Sequence, residues 1–205
     1  TQGVSEVSFA SFGNSFAAAF SSHIYEDNDV FVWSVYSLQI TQTLETGTVQ
    51  GIAFSPNGGV FASTPDRYSI NLWQTFDGKL LRKTHTSFTG AVNSLAISPN
   101  GTLLATGHYD GQIHLWDMEK GTLLYTMVPG GVVQSLSFSP DSSVLASGDS
   151  FETNAVYLWD TTTGQRLNVL MGHPKSVQAL EFSPNGQILA SASYDGSVRL
   201  WGIRP

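Results

Sequence analysis

The chain has no cysteine, and its 205 residues hold only nine Lys and Arg against sixteen Asp and Glu. The first absence excludes disulfides, thiolate metal sites and cysteine nucleophiles, and leaves the redox compartment open. The second gives a formal net charge of −7, which works against a phosphate-binding surface, so nucleic acid is not an expected partner. Charged residues of both signs make up 12% of the chain, about half of the roughly 25% usual in a soluble domain. No apolar run approaches the roughly 18 residues of a membrane-spanning helix. The opening TQGVSEVSF has no basic segment followed by an apolar one, so it does not read as a secretory signal. Ala, Leu, Glu and Lys at helical spacing are scarce, which removes the raw material of long helices.

What is present points to strands. Hydrophobic residues at 41% can fill a core, and 20 glycines with 12% aromatics suit short strands joined by tight turns. The fold class expected is all-β, as one domain or a segment of a larger one. Low charge with abundant Ser, Thr, Asn and Gln is common in exported bacterial proteins. The expected location therefore tilts towards export or the cell envelope and leaves the cytoplasm open.

The tryptophans reveal an internal repeat. Trp33, Trp73, Trp116, Trp159 and Trp201 are separated by 40, 43, 43 and 42 residues. Aligning on them brings VQGIAFSPNGGVFAST, VNSLAISPNGTLLATG, VQSLSFSPDSSVLASG and VQALEFSPNGQILASA into register, with a worn first copy, VSEVSFASFGNSFAAA. In the last copy Val177, Leu180 and Phe182 alternate with one irregular step, as a β-bulge gives. Ser-Pro-Asn-Gly at 183–186 is a turn, QILASAS a second strand, Tyr194-Asp195-Gly196 a second turn and SVRLW a third strand. A fourth strand, such as Leu123 to Met127 or Arg166 to Leu170, leads to the next copy. Each unit is a four-stranded antiparallel meander, with repeats at about 1–37, 38–77, 78–120, 121–163 and 164–205.

These residues resemble the WD40 repeat family of bacterial type. The likeness is carried by LWD at 115–117 and 158–160, Gly172-His173, the FSP turns, and YDG at 109–111 and 194–196. It covers nearly the whole chain. The resemblance implies a β-propeller, with four-stranded sheets arranged as blades around a central channel. It also implies that His173, Ser191 (or Ser193), Asp195 and Trp201 form a hydrogen-bonded structural tetrad in the last blade. A Ser-His-Asp set invites a hydrolytic reading, but a nucleophile needs exposure and an oxyanion hole, and a strand serine beside a hairpin-turn Asp supplies neither. Only the last copy has the full set; Phe88 stands where the third copy would place its histidine.

In the resembled family the turn between second and third strands lies on the face most used for partners. That gives Tyr109 and Tyr194 as candidate partner-binding residues, joined by Glu26, Asp66, Arg67, Tyr68 and Glu152 from the diverged turns. Aromatic anchors ringed by acids suit a protein partner with basic or apolar groups. Glu26, Asp27 and Asp29 lack the later ligands of a calcium loop and read as a hairpin tip. The five histidines show no metal-site spacing, and His108 and His114 read as surface residues. Asn100-Gly-Thr102 fits a glycosylation acceptor but occupies the turn every copy has. No cofactor or metal is expected. Five sets of three inner strands have only four outer ones, so additional blades or another chain are expected to close the ring, as in a fragment of a seven-bladed parent. The expected function is a non-catalytic protein-interaction scaffold. A permanent peripheral subunit of a larger complex, or an enzyme at the channel mouth, are the alternatives.

Overall fold

The computed structural model describes residues 3–9, 15–21, 29–45, 51–86 and 90–203. All the helices and strands among them are strands. The chain divides into two compact units, Thr1–Phe88 and Thr89–Pro205. The first holds two antiparallel meanders. One is β1 (Gly3–Phe9), β2 (Ser15–Ser21), β3 (Asp29–Ser34) and β4 (Ile40–Glu45). The other is β5 (Ile52–Phe54), β6 (Val60–Asp66), β7 (Ser69–Gln74) and β8 (Leu80–His85).

The second unit holds three sheets. β9 (Val92–Ile97), β10 (Leu103–His108), β11 (Ile113–Asp117) and β12 (Thr122–Met127) form one. β13 (Val132–Phe138), β14 (Val144–Ser150), β15 (Val156–Asp160) and β16 (Arg166–Leu170) form the next. The last has three strands, β17 (Val177–Phe182), β18 (Ile188–Ser193) and β19 (Val198–Gly202). The irregular step in β17 is a register shift between Val177 and Ala179, and β13 has the same shift between Val133 and Ser135.

The Ser-Pro-Asn-Gly segments of the second, third and last meanders, and Ser-Pro-Asp-Ser of the fourth, make the first turn through one set of bonds. Ser98 Oγ donates to Asn100 Oδ1 (2.7 Å) and accepts the Leu103 N–H (2.9 Å), while Asn100 Oδ1 also accepts the Thr102 N–H (3.0 Å). Gly101 takes φ +73°, a conformation glycine reaches without strain. Ser55, Ser139 and Ser183 accept the equivalent backbone N–H groups of Val60, Val144 and Ile188. Asn100 is thus held by the turn that its position implies.

A four-stranded sheet this small cannot cover both of its faces, so the core lies between neighbouring sheets. In the first unit Val30 and Val32 of β3 pack on Ile52, Phe54 and Phe61. In the second, Ile113 and Leu115 pack on Val133, Leu145 and Tyr157, and Val156 and Leu158 on Val177, Leu180 and Leu189. Each such side chain, fully buried, contributes about 1.5–3 kcal/mol. The third strands β11 and β15 are therefore buried on both faces and read as continuous apolar runs, IHLW and VYLW. β19 holds the same place in its sheet, yet Val198 is 67% and Leu200 69% exposed.

Two glycines let neighbouring sheets approach closely. A Cβ at Gly107 would lie 2.4 Å from Val133 Cγ1, and one at Gly148 would lie 2.7 Å from Val177 Cγ1. Gly107→Ala and Gly148→Ala are each expected to lower stability by about 1–3 kcal/mol, because the following sheet must move. Ala192→Gly, at the same register place on β18, should cost no more than the ~1 kcal/mol of a strand glycine. Urea denaturation midpoints of the three variants test the comparison.

Candidate functional site

In the last sheet His173, Ser191, Asp195 and Trp201 meet in one chain of hydrogen bonds. Trp201 Nε1–H donates to Ser191 Oγ (2.9 Å), and Ser191 Oγ lies 2.8 Å from His173 Nε2. His173 Nδ1 lies 2.7 Å from Asp195 Oδ2. One proton arrangement satisfies every contact: the Ser191 hydroxyl donates to Nε2, and Nδ1–H donates to the carboxylate. Ser193 is not the tetrad hydroxyl, since its Oγ donates to the Lys175 carbonyl (2.9 Å). Ser197, which the sequence reading missed, grips the other carboxylate oxygen with its hydroxyl (2.6 Å) and its backbone N–H (2.7 Å). Hydrogen bonds from the Ser197 hydroxyl and then from His173 hold the Asp195 carboxyl far below the usual carboxylate range.

The indole bond recurs in three further sheets. Trp73 Nε1 donates to Ser63 Oγ (2.8 Å), Trp116 to Thr106 Oγ1 (3.1 Å) and Trp159 to Ser147 Oγ (2.9 Å). In the first sheet Phe16 pairs with Trp33, so the hydroxyl position falls on Ala18. What lies beyond the hydroxyl differs from sheet to sheet. In the third, His108 Nε2 lies 2.9 Å from Thr106 Oγ1 and its Nδ1 lies 3.0 Å from the Gly90 carbonyl. A histidine from within the second strand thus takes the place that His173 fills from outside it.

His108 and His114 are therefore not surface residues. Both are fully buried, with ring centroids 4.4 Å apart. They face the sheet interior because His108 is tied to Thr106, and His114 stacks edge-on against Trp116. Burial lowers the His108 pKa against the raising effects of the Gly90 carbonyl and Asp110. Burial, and then the neighbouring His108, push His114 down to about 4. Both rings are neutral at pH 7.

The turns between second and third strands carry the candidate contact residues. Tyr109 is 53% and Tyr194 70% exposed, and Glu152 is exposed. In the first unit Arg67 and Tyr68 are exposed, while half-buried Asp66 accepts the Tyr68 N–H (2.7 Å). Glu26 and Asp27 lie outside the described residues. Phe151, in the same turn as Glu152, is 82% exposed and escaped the sequence reading. A repeat alignment has no counterpart for it, because GDSFETNAV replaces the short turn of the other copies.

The family model described as "WD domain, G-beta repeat" matches residues 78–117, 121–160 and 164–202, more than half of the chain. The chain belongs to the WD40 repeat family. Its sheets are WD40 propeller blades, each with the antiparallel order expected. Among its relatives, "Periodic tryptophan protein 2" of Arabidopsis thaliana is 44% identical over 71 residues, 34% of this chain and 8% of that protein. "Periodic tryptophan protein 2 homolog" of Mus musculus is 37% identical over 177 residues, 85% of this chain and 19% of that protein. "Serine-threonine kinase receptor-associated protein" of Gallus gallus is 37% identical over 70 residues, 34% of this chain and 19% of that protein. The WD40 chain thus spans at most about a fifth of the length of these relatives.

Within the last blade, Ser191 is 1% exposed and its oxygen is engaged by both Trp201 and His173. Such a hydroxyl ties strands together; it is not presented to a substrate. Ser191→Ala leaves a buried indole N–H and a buried imidazole nitrogen without their partner, and should cost about 1–3 kcal/mol. In a domain of this size that lowers Tm by roughly 2–10 °C, readable by calorimetry.

The buried histidines set a pH dependence of opposite origin to that of Asp195. Their folded pKa values are depressed, so below about pH 6.5 the unfolded chain binds more protons than the folded one. Tm should be level above pH 7 and fall as the pH drops from about 6.5 towards 4. His114→Gln should flatten that fall. The stability contributed by Asp195 is present above the usual carboxylate pKa and is lost only in stronger acid.

Proposed function

We propose that the chain is a non-catalytic scaffold that binds other proteins through the loop ends of its WD40 blades. The observation that carries this reading is the contrast within one blade. The polar set that resembles a catalytic triad is buried and internally satisfied, whereas the adjoining Tyr194 stands in solvent. Loops mounted on rigid, hydrogen-bonded sheets hold contact residues in fixed positions, which limits the entropy lost on binding. Tyr109, Tyr194, Tyr68 and Arg67 are the contact residues of this reading, with Asp66, Glu152 and Glu26 as acidic rim. The repeats at about 1–37, 38–77, 78–120, 121–163 and 164–205 act as one propeller domain or the C-terminal part of one.

Membership of the WD40 family supports a scaffold over an enzyme. The exposed Val198 and Leu200 on β19 favour a second reading, a permanent subunit whose last blade is covered by further blades or another chain.

Affinity purification from the native source, with the parent chain beside a Tyr109→Ala/Tyr194→Ala variant, separates the two. Loss of a reproducible partner by a variant of unchanged Tm is the expected result. Recovery of the same stable assembly by both would replace the scaffold reading with that of the structural subunit.

A further inference from the structure

Three copies of the first turn place Gly directly after Asn: Asn57-Gly58, Asn100-Gly101 and Asn185-Gly186. Asparagine is thermolabile, and a following glycine, with no Cβ, leaves its backbone nitrogen open to the neighbouring side chain. That nitrogen can attack the Asn Cγ. The new N–Cγ bond closes a five-membered succinimide, and the side-chain nitrogen leaves as ammonia with the proton of the glycine amide. Water then adds to one of the two imide carbonyls and breaks its bond to nitrogen. Cleavage at Cγ gives aspartate; cleavage at the backbone carbonyl gives isoaspartate, in which the main chain runs through the side-chain carbons.

The folded turn opposes the first step in each copy through the same two contacts. The glycine N–H donates to the carbonyl of the turn serine, Gly58 to Ser55, Gly101 to Ser98 and Gly186 to Ser183, each at 2.8 Å. A nitrogen whose proton is held on a carbonyl gives it up less readily, and attack requires its loss. The Asn Oδ1 is meanwhile fixed forward, accepting the N–H of Gly59 (2.9 Å), Thr102 (3.0 Å) or Gln187 (3.1 Å). Reaction therefore waits on local opening, and the turn that opens at least cost reacts first.

The three turns are not held equally. Asn100 is the most tied: its Oδ1 also accepts the Thr102 hydroxyl (2.8 Å), and its backbone N–H donates to Ser142 Oγ of the following blade (3.0 Å). Beside Asn57, both Ser55 and Gly58 are buried. In the last blade Ser183 and Gly186 are half-buried, and Asn185 and Gln187 are exposed. Ile188, whose N–H closes this turn on Ser183 Oγ, is also exposed, whereas Val60 and Leu103 at the same place in the second and third blades are half-buried. Water thus reaches the bonds of the last turn, and the sheet behind it has three strands where the other two have four.

We infer that Asn185 is a site of spontaneous modification, deamidated through Gly186 ahead of Asn57 and Asn100. The two products differ in consequence. The fourth blade carries Asp141 at the equivalent place, where its carboxylate accepts the Ser143 N–H (3.0 Å) and hydroxyl (2.8 Å), so aspartate fits this turn. Isoaspartate adds a methylene to the main chain between Ser183 and Ile188. The bonds from Gly186 to the Ser183 carbonyl and from Ile188 to the Ser183 hydroxyl cannot both be kept, and the β17–β18 hairpin loses the turn that sets its register.

The test is a time course of the whole 205-residue chain at mildly alkaline pH, folded and in urea, followed by peptide mapping with mass spectrometry. In urea the three Pro-Asn-Gly sites should convert at comparable rates. In the folded chain Asn185 should convert at least tenfold faster than Asn57 or Asn100, yet more slowly than in urea. Asn185→Asp should keep the parent Tm, whereas the isoaspartyl fraction separated from aged protein should melt lower. Conversion at Asn57 or Asn100 as fast as at Asn185 would overturn the inference. So would an Asn185 that stays intact while the urea sample is consumed. Folded Asn185 reacting at the urea rate would show that the turn gives no protection and overturn the part assigned to local opening. A lower Tm for Asn185→Asp would overturn the distinction drawn between the two products.

Discussion

An indole N–H that is buried between two sheets must find an acceptor, and in four of the five blades it finds a hydroxyl on the neighbouring strand. That single bond ties the third strand of each of these four blades to the second. The rest of the structure is arranged around it. The apolar faces on either side meet the next blade, the Ser-x-Asn turns close one end, and whatever lies beyond the hydroxyl varies with the loop at the other end. The hydroxyl has one proton left to give, and in two blades a histidine nitrogen lies in place to accept it. The last blade uses His173 and the third uses His108.

This division of labour separates stability from recognition. The inner network is buried and self-contained, so the loop ends can change without disturbing the core. Asp149 illustrates the freedom this gives: two residues beyond the Ser147 hydroxyl, where His108 stands in the third blade, it organises a longer loop. One position serves to close a hydrogen-bond chain in one blade and to shape a protruding loop in the next.

The repeat, the strand order and the turns were legible in the sequence because each rests on local physics. Strand alternation, Pro and Gly at fixed offsets in the turns, and Trp at regular spacing are all properties of short segments. Even the bulge at Val177–Ala179 showed as a break in alternation. The tetrad of the last blade was legible by its likeness to the WD40 pattern. The choice between Ser191 and Ser193 was not, since residues two apart on a strand point the same way and only the placement of Trp201 and His173 separates them.

Other features were invisible for the same reason. His108 and His114 looked like surface residues of a hairpin, yet both are fully buried, and only the folded chain shows it. Phe151 fell in a turn with no counterpart in the repeat, so neither its exposure nor its positive φ had a pattern to reveal it. The sequence by itself determined what period and turn chemistry dictate: an all-β chain of WD40 repeats, with the strands in order and a hydroxyl opposite the Trp in four blades. Tertiary structure alone decided which side chains are covered, which histidine completes the network in the third and last blades, and which aromatic ring is left in water. Those outcomes depend on the packing of one sheet against the next, and residues forty positions apart meet only when the chain is folded.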